Sequence, residues 1–95
     1  MSLAIDVNIL LYASNAESPF HAPAERFLKR CAAGPEIVCL GWITIMSYLR
    51  IATHPGVFAQ PLSPQEAMAN IEALLALRHV RILAEEEGFW STFAR

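Results

Sequence analysis

Side chains able to do chemistry are sparse in this 95-residue chain, and Asp6 is the one whose setting is most informative. It directly follows the apolar run Leu3-Ala4-Ile5, so a buried strand over Leu3–Asp6 would deliver its carboxylate to the carboxyl edge of a sheet. Hard oxygens held there can coordinate Mg²⁺ or Mn²⁺. An aspartate just ahead of a helical segment also caps that helix, and both roles suit Asp6. Asn8 could hydrogen-bond the loop that aims Asp6, or could itself cap the helix. Phosphodiester hydrolysis with metal ions needs several converging acids. The other carboxylates offer no obvious second ligand. Glu17, Glu25 and Glu36 read as solvated positions, Glu66 has a capping role, and Glu72 lies on a helix surface. Glu85-Glu86-Glu87 could lend one carboxylate, but charge at the start of a helix already accounts for them.

Other chemistries find less support. Ser47, His54 and Asp6 have the residue types of a hydrolytic triad, but no G-x-S-x-G elbow surrounds the serine. P-loop and dinucleotide fingerprints are missing from the sequence. His21, His54 and His79 are too dispersed for a zinc site, and Cys31 and Cys39 form no C-x-x-C pair, so they read as free thiols. Arg50 could face a phosphate or simply form a surface ion pair. Trp42 and Trp90 read as core anchors rather than base-stacking platforms.

The elements that must position these groups follow from periodicity. Val7–Ala13 reads as a short helix, Ser14–His21 as a polar loop, and Ala24, Phe27, Leu28 and Cys31 as the buried face of a helix that Gly34-Pro35 stops. Ile37–Leu40 is a core strand. In the next helix, Trp42, Ile45, Met46, Leu49 and Ala52 define the expected inward stripe, with Ser47, Arg50 and His54 on another face. Ser63-Pro64-Gln65-Glu66 carries a capping box ahead of a helix that buries Ala67, Ile71, Leu74 and Leu75. Val80–Leu83 is a third strand, and a final helix is expected to carry Phe89, Trp90 and Phe93. Strands alternating with helices predict α/β packing in three layers around a parallel sheet. With three readable strands, part of such a sheet stays uncovered.

Composition limits the classes further. Side chains are 55% hydrophobic and 17% charged, which fits one globular domain. Seven Lys/Arg against nine Asp/Glu give a net charge of -2, so no broad basic field exists for non-specific nucleic-acid binding, although RNA at a small metal-centred site stays open. No basic segment precedes the first apolar run, and no uncharged apolar stretch is long enough to span a bilayer, so the expectation is a cytoplasmic protein without a membrane partner.

Two segments carry a family resemblance. Leu-Ala-Ile-Asp-Val-Asn-Ile-Leu-Leu-Tyr at Leu3–Tyr12 resembles the opening strand and helix of PIN-domain proteins. Trp42–Phe58, Trp-Ile-Thr-Ile-Met-Ser-Tyr-Leu-Arg-Ile-Ala-Thr-His-Pro-Gly-Val-Phe, is similar to the central segment of the VapC-type branch. The resemblance implies the toxin of a type II toxin–antitoxin pair: a Mg²⁺- or Mn²⁺-dependent endoribonuclease, commonly homodimeric, that cuts RNA and is neutralised by a cognate protein antitoxin. Asp6 matches the family's first metal-binding aspartate, Asn8 the polar residue supporting that loop, and Arg50 the arginine on the central helix. Ser47 stands where many members have a glutamate, which removes one anionic ligand. The later Asp-Ala and Thr-x-Asp-x-Asp-Phe segments do not occur in these residues. The expectation is therefore a single PIN-like domain over residues 1–95, matching the N-terminal two-thirds of the fold and incomplete at the C-terminus. The complete protein would be the nuclease, and the 95-residue portion alone would be inactive. Two other readings remain: a catalytically inactive PIN-like module that binds an antitoxin, and an unrelated small α/β protein in which Asp6 only caps a helix.

Overall fold

Apolar runs of three to five residues become strands here because helices on either side in sequence can cover them. The computed structural model describes residues 2–83, which run β1 (Ser2–Ala4), α1 (Val7–Ser14), α2 (His21–Ala33), β2 (Ile37–Gly41), α3 (Trp42–Ala52), α4 (Pro64–Leu75) and β3 (Val80–Leu83). The strands form one sheet in the order β1-β2-β3, with both pairs parallel. Parallel neighbours need long crossovers, and the helix pairs α1–α2 and α3–α4 supply them. The final helix expected around Phe89, Trp90 and Phe93 lies outside the described residues.

Register and pleat sort the sheet into two faces. Val38 pairs with Val80 and Leu40 with Ile82, so these side chains share one face. Val38, Leu40 and Val80 are buried there with Ile5, Leu10, Ile45, Tyr48, Ala52, Phe58 and Ile71 in one continuous core. The opposite face carries Ala4, Ile37 and Arg81, which are exposed, and Cys39 and Leu83, which are half-buried. The α/β fold with a parallel sheet is therefore as the sequence implies.

Local signals act where expected. The Ser63 hydroxyl accepts a hydrogen bond from the Glu66 amide, and the Glu66 carboxylate accepts one from the Ser63 amide, both at 3.0 Å. That reciprocal cap, with Pro64 in the first turn, starts α4. A longer-range tie ends α2. The His79 Nε2–H donates to the Cys31 carbonyl at 2.6 Å, satisfying a helix-end acceptor from the loop that enters β3. Gly34 is needed beside it, because a Cβ there would lie 3.0 Å from both the His79 ring and the Cys31 oxygen.

Two expectations are corrected. First, β1 spans Ser2–Ala4 rather than Leu3–Asp6. The Ile5 amide still bonds the Cys39 carbonyl at 3.1 Å, but Asp6 leaves the ladder to cap α1. The second concerns α3, whose inward residues are Ile45, Tyr48 and Ala52, with Leu49 half-buried, whereas Trp42 is 48% and Met46 51% exposed. Trp42 is therefore not a core anchor. The helix is apolar on most sides, so spacing alone could not decide which stripe faces the sheet.

Candidate functional site

Asp6 reaches the carboxyl edge of the sheet because β1 and β2 run in step. Ala4 pairs with Cys39, and Asp6, two residues beyond β1, stands at the same carboxyl edge where Gly41 ends β2 and precedes α3. Loops at this edge of a parallel sheet are where such folds build sites. The backbone at Asp6 is extended, with φ -78° and ψ 150°, as a cap residue requires. Its Oδ2 accepts the Asn8 amide at 3.2 Å, and no hydrogen bond from a described residue reaches Oδ1. The side chain is exposed. One carboxylate oxygen is thus fixed by the helix while the other is available to solvent or a cation.

The remaining sequence candidates lie on neighbouring elements. Asn8 acts through its backbone amide, and the helix cap is Asp6 rather than Asn8. Ser47 is half-buried in the second turn of α3, and Arg50 is exposed in its last turn. At 1.5 Å per residue their backbones lie about 7–8 Å and about 12 Å along the axis from Trp42 at the sheet edge. Helices α1 and α3 pack together, which links the Asp6 cap to the helix carrying Ser47 and Arg50. Among the described residues no group of three or more His, Cys, Asp or Glu side chains is placed to hold a metal ion. Asp6 alone does not make a Mg²⁺ or Mn²⁺ site, because such cations take about six oxygen ligands and need their charge balanced.

Elsewhere, a feature appears that sequence reasoning missed. A groove of about 450 Å³ opens between helices and is lined mainly by Leu10, Leu28, Ile71, Leu74 and Leu77. At its polar end the Tyr48 hydroxyl, on a side chain only 1% exposed, lies 2.6 Å from the Ser14 hydroxyl and accepts the Asn70 amide at 2.9 Å. Three helices, α1, α3 and α4, meet at that oxygen. The available signal was a tyrosine three residues after Ile45 and four before Ala52, a helical stripe competing with the one built on Trp42 and Met46. Cys31 is buried, and burial pushes its thiol above the ordinary range; nearby Arg30 opposes that shift and Glu36 adds to it.

Comparison with known proteins then decides the family. Ribonuclease VapC48 of Mycobacterium tuberculosis is 41% identical over 95 residues, covering 100% of this chain and 66% of the relative. The chain belongs to the VapC family of PIN-domain proteins. Ribonuclease VapC37 of the same organism is 33% identical over 90 residues, covering 84% of this chain and 62% of the relative. This VapC-family chain thus spans slightly less than two thirds of the length of these relatives. No family model matches it. Among solved structures, Mycobacterium tuberculosis VapC20, described as a sarcin–ricin loop cleaving toxin, superposes with a TM-score of 0.62 at 18% identity, over 100% of this chain and 68% of that one. That likeness shows a shared fold.

Proposed function

We propose that the protein carrying these residues is a VapC-type endoribonuclease toxin that hydrolyses RNA phosphodiester bonds with Mg²⁺ or Mn²⁺, and that a cognate protein antitoxin neutralises it. The observation that carries this reading is the 41% identity to Ribonuclease VapC48 across all 95 residues, combined with Asp6 at the carboxyl edge of the sheet. Residues 1–95 act in this reading as the N-terminal portion of a single PIN-like domain. Asp6 supplies one anionic ligand. Asn8 steadies the Asp6 loop through its amide, and Arg50 and Ser47 are supporting residues on α3. Ser47 is neutral and a poor ligand for a hard cation. Because no group of three or more His, Cys, Asp or Glu side chains among the described residues is placed to hold a metal ion, the 95-residue chain by itself is expected to be inactive.

The partner assignments have their own supports. The apolar groove between the helices can take the apolar face of an amphipathic antitoxin segment. Homodimerisation and a cytoplasmic setting belong to this reading as what the family resemblance implies. Among the described residues no helix is long and apolar enough to cross a membrane.

The decisive experiment compares the full-length protein with its Asp6→Asn variant on single-stranded RNA, with Mg²⁺ or Mn²⁺ and then with a chelator. Metal-dependent cleavage that disappears with Asp6→Asn supports the reading. Uncut RNA at saturating metal, with retained antitoxin binding, would instead establish the inactive binding module. The neutral Ser47, and the lack among the described residues of three or more side chains placed to hold a metal ion, are the observations that favour that second reading.

A further inference from the structure

We propose that Trp42 stacks on a base of the single-stranded RNA that reaches Asp6, and that Met46 and Arg50 continue the contact along α3. The proposal rests on the ribonuclease reading above. It begins from an anomaly: a tryptophan that spacing assigns to the core is instead 48% exposed, although tryptophan is highly buried on average. Its position gives the anomaly meaning. Trp42 opens α3 directly after Gly41 ends β2, so it stands at the same carboxyl edge of the sheet that Asp6 reaches from β1.

The residues beyond it fit a nucleic-acid strand. Met46 is 51% exposed one turn further on, and Arg50 is exposed one turn beyond that. Spacing of four residues keeps the three on one side of the helix, over a length of about 12 Å. An aromatic face, a polarisable thioether and a guanidinium therefore follow in a row from the Asp6 edge. Among the described residues no carboxylate forms a salt bridge with Arg50. Ile43, 55% exposed, makes the start of this helix apolar as well, and the cation at the far end of the line complements a phosphate. Stacking on an indole tolerates any base, so this contact would bind and position RNA without reading its sequence.

The test uses the full-length protein in which every tryptophan except Trp42 is replaced by phenylalanine, in an Asp6→Asn background that prevents cleavage. A short single-stranded RNA oligonucleotide of mixed sequence is titrated while Trp42 emission is followed. Saturable quenching is expected. Trp42→Ala should weaken binding about tenfold or more, and Trp42→Phe should restore most of it. In the enzyme with Asp6 intact, Trp42→Ala should raise KM by a similar factor and leave kcat within about twofold. RNA binding without any change in Trp42 emission, or Trp42→Ala affinity within about twofold of the parent, overturns the proposal. So does a Trp42→Ala variant that changes only the oligomeric state in sedimentation, which would assign the residue to a protein interface. If the unsubstituted enzyme neither binds nor cuts RNA, the ribonuclease reading fails and takes this proposal with it. If it cuts RNA with no effect at Trp42, stacking alone fails.

Discussion

Removing a single oxygen atom tests how the helices are held around the candidate site. Tyr48→Phe keeps the ring that fills the core, since this side chain is only 1% exposed, but it deletes the hydroxyl joining Ser14 to Asn70. Each hydrogen bond contributes about 0.5–1.5 kcal/mol net, so losing both should cost about 2 kcal/mol. The penalty stays moderate because Asn70 is exposed and Ser14 half-buried, leaving water able to replace the lost partner. For a domain of this size that corresponds to a fall in Tm of roughly 8–16 °C. Tyr48→Ala removes the ring too and should cost about 3–5 kcal/mol. Urea titrations of wild type, Tyr48→Phe, Asn70→Ala and the double variant would show a coupling of about 0.5–1 kcal/mol between the two positions. A Tyr48→Phe protein within about 0.5 kcal/mol of wild type would refute the view that this hydroxyl ties α1, α3 and α4 together.

Further outcomes follow from other contacts. Asp6→Asn should leave stability within about 0.5 kcal/mol, because asparagine caps as well as aspartate, while abolishing metal-dependent cleavage in the full-length protein; a large loss of Tm would make the cap its dominant role. Ser63→Ala should cost about 1 kcal/mol in a denaturation titration, through loss of the bond to the Glu66 amide. Hydrogen bonds from the Ser63 amide and then its hydroxyl hold the Glu66 carboxyl below its ordinary value of 4.5. Its folded value is depressed, so its stabilising contribution is present above about pH 4.5 and lost as pH falls through the folded value; Glu66→Gln should flatten that acid limb in pH-dependent melts. The Cys31 thiol is raised above its ordinary 9.0 by burial, so its contribution is complete below that pH and declines as pH rises through the folded value. Under native conditions a thiol reagent should therefore label half-buried Cys39 well before Cys31, and equal rates would contradict the burial of Cys31.

Much of this protein is legible in its sequence, because the decisive signals are local. An apolar run ending in Asp6, the Ser63–Glu66 box with Pro64, and the Gly34-Pro35 stop each act through the backbone of a few neighbouring residues. The parallel sheet followed from strands alternating with helices, since parallel pairing requires crossovers. Asp6 could be singled out for the same reason, although its two roles could not be separated without geometry. Tertiary structure alone decided the orientation of α3. Apolar residues nearly surround that helix, so two stripes of equal helical spacing competed, and the one containing Tyr48 turned inward. Only there could a buried phenol find both Ser14, 34 positions earlier, and Asn70, 22 positions later. Such partners lie too far apart in the chain for spacing to reveal them. Exposure of Trp42 at the Asp6 edge is the other side of that same rotation.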